Sequence, residues 1–277
     1  MKLRVRRYAR FARLLKINME PLTFFDCNIR IGMANHPANS PVHEPGEIVE
    51  KMDYYGIEKA LVFHKESMGS PVAGNDLLAG AIAGNPRFVG AAVLAPAYSG
   101  EFGDIGAYFK KIASQGFRAI RLFPAVHKFP LKALYLDTVL EQAQQYGMPV
   151  ILDEIDLEKN ISPLGTWGFS PNYDDIYELS RGYPDLNFIV IMTGMLTQRR
   201  LFAIMAKCPN VYYECSSFGY KNIENAYQLF GRTNLVFGSY FPIMEPGVLI
   251  SYLSYADVPE EEKKLIAGGT LRRLIGA

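Results

Sequence analysis

Side chains able to move protons or hold anions recur where short apolar runs of this chain end. The first run is Phe24-Phe25-Asp26-Cys27-Asn28-Ile29-Arg30. Residues two apart in a strand share a face, so Asp26, Asn28 and Arg30 are expected on one polar face. Comparable ends carry His64 with Lys65 and Glu66, Pro96, Arg121, Asp153 with Glu154, Thr193, Glu214 with Ser216, and Ser239 with Tyr240. In parallel α/β proteins ligands bind where strands end, which makes these residues one candidate set.

The chemistry on offer is acid/base chemistry around an anion. A guanidinium makes planar bidentate contacts to carboxylate or phosphate, so Arg30 or Arg121 is suited to anchor an acidic substrate. Asn28, His64 and Thr193 are expected to line the same mouth. Two carboxylates in unlike surroundings divide into a base and an acid. Asp153 beside an arginine stays ionised, while a less compensated Glu154 or Glu214 is pushed up; Asp26 and Glu214 join Asp153 as candidate catalytic carboxylates. Glu154 follows Asp153 directly and would point the opposite way in a continuing strand. Tyr240 and Ser239 are placed to donate hydrogen bonds to a developing oxyanion. The same residues also admit a purely structural reading, an ion-pair network that compensates buried carboxylates.

The elements that must position these groups alternate regularly. Strands are expected at 24–30, 60–64, 88–94, 117–123, 149–153, 187–193, 211–216 and 235–240. Helical patterns lie between them at 46–55, 76–83, 105–114, 131–146, 174–181, 197–207 and 222–230, and two more finish the chain at 247–255 and 259–274. Eight apolar strands alternating with helices predict one (β/α)8 TIM barrel over residues 21–277, with no second domain. The longest connection, 155–172, is rich in Pro, Gly and aromatics, holds the only tryptophan, Trp167, and is a candidate lid that would bring that indole to the substrate.

Of the remaining histidines, His36 and His43 fall in the loop after the first strand and His127 follows the fourth. No two histidines share a strand end, and a lone histidine at such a place is commonly a hydrogen-bonded structural group. Cys27 and Cys215 read as packing residues.

Composition bounds the rest. With 277 residues, 49% of them hydrophobic and 21% charged, the chain can bury a large core. No apolar run approaches the ~20 residues of a membrane span. Three cysteines without CxxC spacing predict free thiols and a cytoplasmic setting. The net charge of +1 conceals an asymmetry, because seven basic residues (Lys2, Arg4, Arg6, Arg7, Arg10, Arg13 and Lys16) against Glu20 leave residues 1–20 at +6 and the remainder at −5. That segment lacks the apolar centre of a signal peptide and reads as a basic extension, or as sequence preceding a true start at Met19. The body carries no basic stripe interleaved with aromatics, so nucleic acid is not an expected partner, and neither is a membrane. A homo-oligomer paired through the apolar residues Leu265, Ile266, Leu271, Leu274 and Ile275 is possible, as is core packing of the same residues. No dinucleotide fingerprint and no GK[ST] phosphate loop is present, so no cofactor is expected.

Several short pieces, taken in order, resemble the amidohydrolase-related family of metal-dependent TIM barrels, which includes hydrolases, lactonases and decarboxylases. They are Phe25-Asp26, Tyr55-Gly56-Ile57-Glu58-Lys59-Ala60, Asn85-Pro86-Arg87-Phe88-Val89-Gly90, Gly116 to Pro124, Tyr183-Pro184-Asp185-Leu186, Asn210-Val211-Tyr212 and Phe237-Gly238-Ser239. The resemblance implies a divalent metal held by an HxH pair on strand one, histidines after strands five and six and an aspartate after strand eight. Here those positions are Asn28 and Arg30, Asp153, Thr193 and Tyr240. Asn, Thr and Tyr are poor ligands for Zn, Mn or Fe, and Arg brings a positive charge to where a cation would sit. The expectation is therefore a metal-free hydrolase of a small carboxylated, anionic substrate, with a decarboxylase as its nearest variant. The alternative is a catalytically silent barrel that binds a small ligand or a partner protein.

Overall fold

The computed structural model describes residues 21–33, 42–153, 172, 174–191, 198–216 and 221–277. Its eight strands are β1 (Phe24–Ile31), β2 (Ile57–His64), β3 (Phe88–Leu94), β4 (Phe117–Leu122), β5 (Val150–Asp153), β6 (Phe188–Ile191), β7 (Val211–Glu214) and β8 (Leu235–Val236). They pair in sequence order, each parallel to the next. The ring returns from β8 to β1 through Cys27 N–H to the Phe237 carbonyl and Arg30 N–H to the Phe241 carbonyl, both 2.9 Å. This is the (β/α)8 barrel that the alternation predicts. Observed strands shorten at β5 to β8 and lengthen at β2, whose start reaches back to Ile57.

Strands buried on both faces create two apolar layers. The outer one joins Ile29, Val62, Ala92, Ile120, Leu152 and Val190 to helix residues such as Ile48, Met52, Leu78, Phe109 and Leu140. The inner one joins Phe25, Leu61, Ala91, Ala119, Ile151, Ile189, Tyr212 and Val236 to Leu271, Leu274 and Ile275 of the last helix. That helix, Thr270–Ile275, follows a π-helical turn at Leu265–Gly269 that packs on β1 and β8. Gly268 lies so close to Phe25 that a Cβ would stand 3.1 Å from its backbone nitrogen. Four of the five apolar residues considered for self-association are thus core, and only Leu265 is exposed.

The N-terminal end of the barrel is stitched by side chains that hold chain carbonyls. Arg87 donates to the carbonyls of Ile57 (2.6 Å) and Glu58 (2.9 Å) and pairs with Asp53 at 2.6 Å. Asn210 Nδ2 lies 2.9–3.1 Å from the carbonyls of Ser180, Tyr183 and Leu186. Among the described residues no helix is long and apolar enough to cross a membrane.

Candidate active site

At the other end of the barrel the inward-facing residues turn polar. On β4, two residues beyond Ala119, stands Arg121; on β5, two beyond Ile151, stands Asp153; on β7, two beyond Tyr212, stands Glu214. Period-two alternation keeps each pair on one face, so a short step along the strand exchanges core for charge.

Arg121 and Asp153 form a bidentate pair. Arg121 Nε is 2.6 Å from Asp153 Oδ2 and Nη2 is 2.8 Å from Oδ1. Both are almost completely buried, with 1% and 3% of their side chains exposed. The third contact crosses the ring, from Arg121 Nη1 to Asn28 Oδ1 at 3.0 Å. Arg121 also lies on the Phe63 ring, 3.9 Å from its centroid, with Phe123 at 5.1 Å. Because a guanidinium only donates, Asn28 must turn its carbonyl oxygen to Arg121 and its amide NH2 away. That buried NH2 has no hydrogen-bond acceptor among the described residues.

The common face expected for Asp26, Asn28 and Arg30 is interrupted. Register against β2 slips between Asp26 and Ile29. Asp26 therefore serves the end of β8 instead: its Oδ1 accepts the backbone N–H groups of Ser239 (3.0 Å) and Asn28 (2.9 Å), and the Ser239 side chain bonds it as well. Its Oδ2 is buried and has no partner among the described residues. Burial, only partly offset by these hydrogen bonds, pushes the Asp26 carboxyl up to about 6. Ser239, expected to face an oxyanion, is thus engaged with Asp26 and with the Phe241 N–H at 3.2 Å.

Glu214 is fully buried and accepts from Ser216, N–H at 2.6 Å and hydroxyl at 2.7 Å. Gly238 makes room for it, since a Cβ there would stand 2.5 Å from Glu214 Cγ and 2.8 Å from Cys27 Sγ. Burial and the neighbouring Glu214 push the thiols of Cys27 and Cys215 well up, in keeping with a packing role. Tyr240 is half-buried and adopts φ 56°, with its carbonyl accepting from Ile243 and Met244 N–H. Arg30, at the end of β1, is buried.

The three described histidines are occupied with local structure. His64 Nδ1 accepts the Glu66 N–H at 3.2 Å and caps a 3-10 turn, and burial lowers its pKa. His127 Nε2 lies 3.2 Å from the Met68 carbonyl. His43 stands beside Glu44, 3.4 Å away, near the surface. Trp167, Thr193, Glu154, His36 and nearly all of the lid segment lie outside the described residues. The cation contact from Arg121 to Phe63 is a feature sequence reasoning missed, although Phe63 and Phe123 both sit beside strand-end charges in the sequence.

The sequence profile described as Amidohydrolase matches residues 31–277. The chain belongs to the amidohydrolase family. No curated protein sequence matches it. Among solved structures this amidohydrolase is similar to a 5-carboxyvanillate decarboxylase from Novosphingobium aromaticivorans complexed with manganese and 4-hydroxy-3-methoxy-5-nitrobenzoic acid, at TM-score 0.71 and 15% identity, covering 92% of this chain and 96% of that one. It is also similar to a 2,6-dihydroxybenzoate decarboxylase from Rhizobium, at TM-score 0.64 and 14% identity over 92% and 99%. A third is the probable 2-pyrone-4,6-dicarboxylic acid hydrolase from Acinetobacter baumannii, with citric acid bound, at TM-score 0.64 and 15% identity over 92% and 100%. At such identities the likeness concerns the fold. Among the described residues of this amidohydrolase, no three His, Cys, Asp or Glu side chains gather closely enough to hold a metal ion.

Proposed function

We propose that this amidohydrolase-family barrel is an enzyme for a small carboxylated substrate, hydrolysing a C–O or C–N bond with its own side chains. The observation that carries the reading is the enclosed set at the strand ends: a guanidinium clamped to a carboxylate, beside a second carboxyl with one oxygen unpartnered among the described residues. Arg30 supplies the positive charge that attracts the substrate carboxylate. Tyr240 is suited to donate to charge that develops on the substrate oxygen. Proton transfer falls to Asp26 rather than Asp153. Both Asp153 oxygens are held by Arg121, whereas Asp26, pushed up to about 6, is able to take and return a proton near neutrality. Glu214, tied to Ser216, shapes the wall beside Asp26.

The fold family implies a divalent cation, and the residues here do not fit one. Asn28 spends its carbonyl oxygen on Arg121 and turns a donor group away from it. Asp153 spends both oxygens likewise, and Arg30 adds positive charge at the end of β1.

Decarboxylation is the second reading, favoured because two of the similar structures are decarboxylases of hydroxylated benzoates. In it the same arginine orients the departing carboxylate and Asp26 supplies the proton that replaces it. A panel of dicarboxylated lactones, amides and hydroxybenzoates, followed by ultraviolet absorbance and by CO2 release, tests both. Turnover that falls at least ~100-fold in a folded Asp26→Asn variant is expected, a loss typical of removing an acid/base group. Ligand binding without turnover across the panel, or an Asp26→Asn variant with full activity, would overturn this assignment, the former in favour of a silent barrel.

A further inference from the structure

The ring order from β1 to β8 sets β1 and β5 on opposite sides of the barrel. Arg121, on β4, reaches its neighbour β5 through Asp153 and the far wall through Asn28. It is therefore a strut across the lumen as well as a charge. Inside that lumen three fully or almost fully buried carboxyl side chains, Asp26, Asp153 and Glu214, require compensation, since an uncompensated buried charge is very costly. The flanking rings of Phe63 and Phe123 keep the guanidinium in place and exclude water around it.

We propose that Arg121 is a resident cation of this site, a positioning residue that links the β1 amide to the β5 carboxylate where a divalent ion would otherwise tie the strands together. The inference rests on the metal-free reading above and extends it. A fixed guanidinium supplies one positive charge and directional hydrogen bonds. It cannot ionise a bound water, so the work of proton transfer stays with the carboxyl groups.

The test uses the full chain and needs no substrate. Wild-type protein, stripped with chelator and dialysed against millimolar manganese or zinc, is expected to retain well under one metal per chain by elemental mass spectrometry and to show no shift in Tm. Arg121→Ala is expected to lower Tm by about 10 °C, as the loss of one partner of a buried pair implies for a domain this size. Millimolar methylguanidinium should then restore much of the loss, methylammonium at the same concentration should not, and manganese or zinc should raise the variant's Tm. Should Arg121→Ala fail to fold, Arg121→Lys keeps the charge but loses the fork, and about half the drop in Tm is expected. Close to one metal per wild-type chain would overturn the proposal, as would a variant as stable as wild type or one indifferent to every added cation. Metal in the wild type would sink this inference while leaving the carboxylated-substrate reading open; an inactive panel would do the reverse.

Discussion

The two ends of the barrel interior are built on the same strands and obey opposite rules. Toward the N-terminal end, Phe25, Leu61, Ala119, Ile151 and Val236 meet the last helix in a close-packed apolar floor. One pleat repeat further along, Arg121, Asp153 and Glu214 replace them. The floor is held by contact area, which is non-directional and insensitive to pH. The mouth is held by geometry, where each group depends on a few named partners. The difference teaches that burial alone says little about role, since both layers are equally inaccessible to solvent.

Three measurements sharpen or break that contrast. The largest effect is expected in the floor, where Ile151→Ala should cost about 4 kcal/mol in urea unfolding through lost packing and a residual cavity. A cost below about 1 kcal/mol would mean the floor relaxes around the change and is not close-packed.

The next effect belongs to the mouth and depends on pH. Asp26 lies at about 6 in the folded chain against 3.8 ordinarily, so the native state holds this proton more tightly than the unfolded state. Its contribution is full below the unfolded value and is lost as pH rises through about 6. Asp26→Asn keeps an oxygen for the Ser239 and Asn28 N–H groups and removes the titration. Between about pH 4 and pH 7 its stability should therefore gain on wild type by about 3 kcal/mol. Parallel curves would show that solvent reaches Asp26.

The smallest effect is expected for Asn28→Ala, about 1.5 kcal/mol by thermal unfolding. One charge-assisted hydrogen bond is lost, but so is the buried amide NH2 that has no acceptor. A loss exceeding that of Ile151→Ala would invert the ranking and make the cross-ring contact the main tie of the barrel.

The same contrast explains what was legible. The pieces that betrayed the fold mostly lie at the floor and do mechanical work there. Arg87 of the Asn85–Gly90 piece pins the start of β2, and Asn210 gathers the chain ahead of β6. Gly90 has to be small, as a Cβ would stand 2.7 Å from the Phe117 ring. Gly238, at the mouth, is likewise explained by space. These constraints are local in sequence or steric in kind, so they leave a readable mark. The strand-end charges were readable as a set, but their partnerships were not. Position along the strand groups Asp26 with Asn28 and Arg30, whereas the register slip turns Asp26 toward β8, and nothing local to Asp153 announces that both its oxygens meet Arg121.

By itself, then, the sequence determined the alternation of eight strands with helices, and with it the barrel and the end at which polar groups collect, because period and turn chemistry act over a few residues. Tertiary structure alone decided that Arg121 bonds a residue 93 positions away across the ring, and that one carboxyl is clamped while another is left half-satisfied. Closing the ring sets those distances, and no local pattern of residues encodes the width of a barrel.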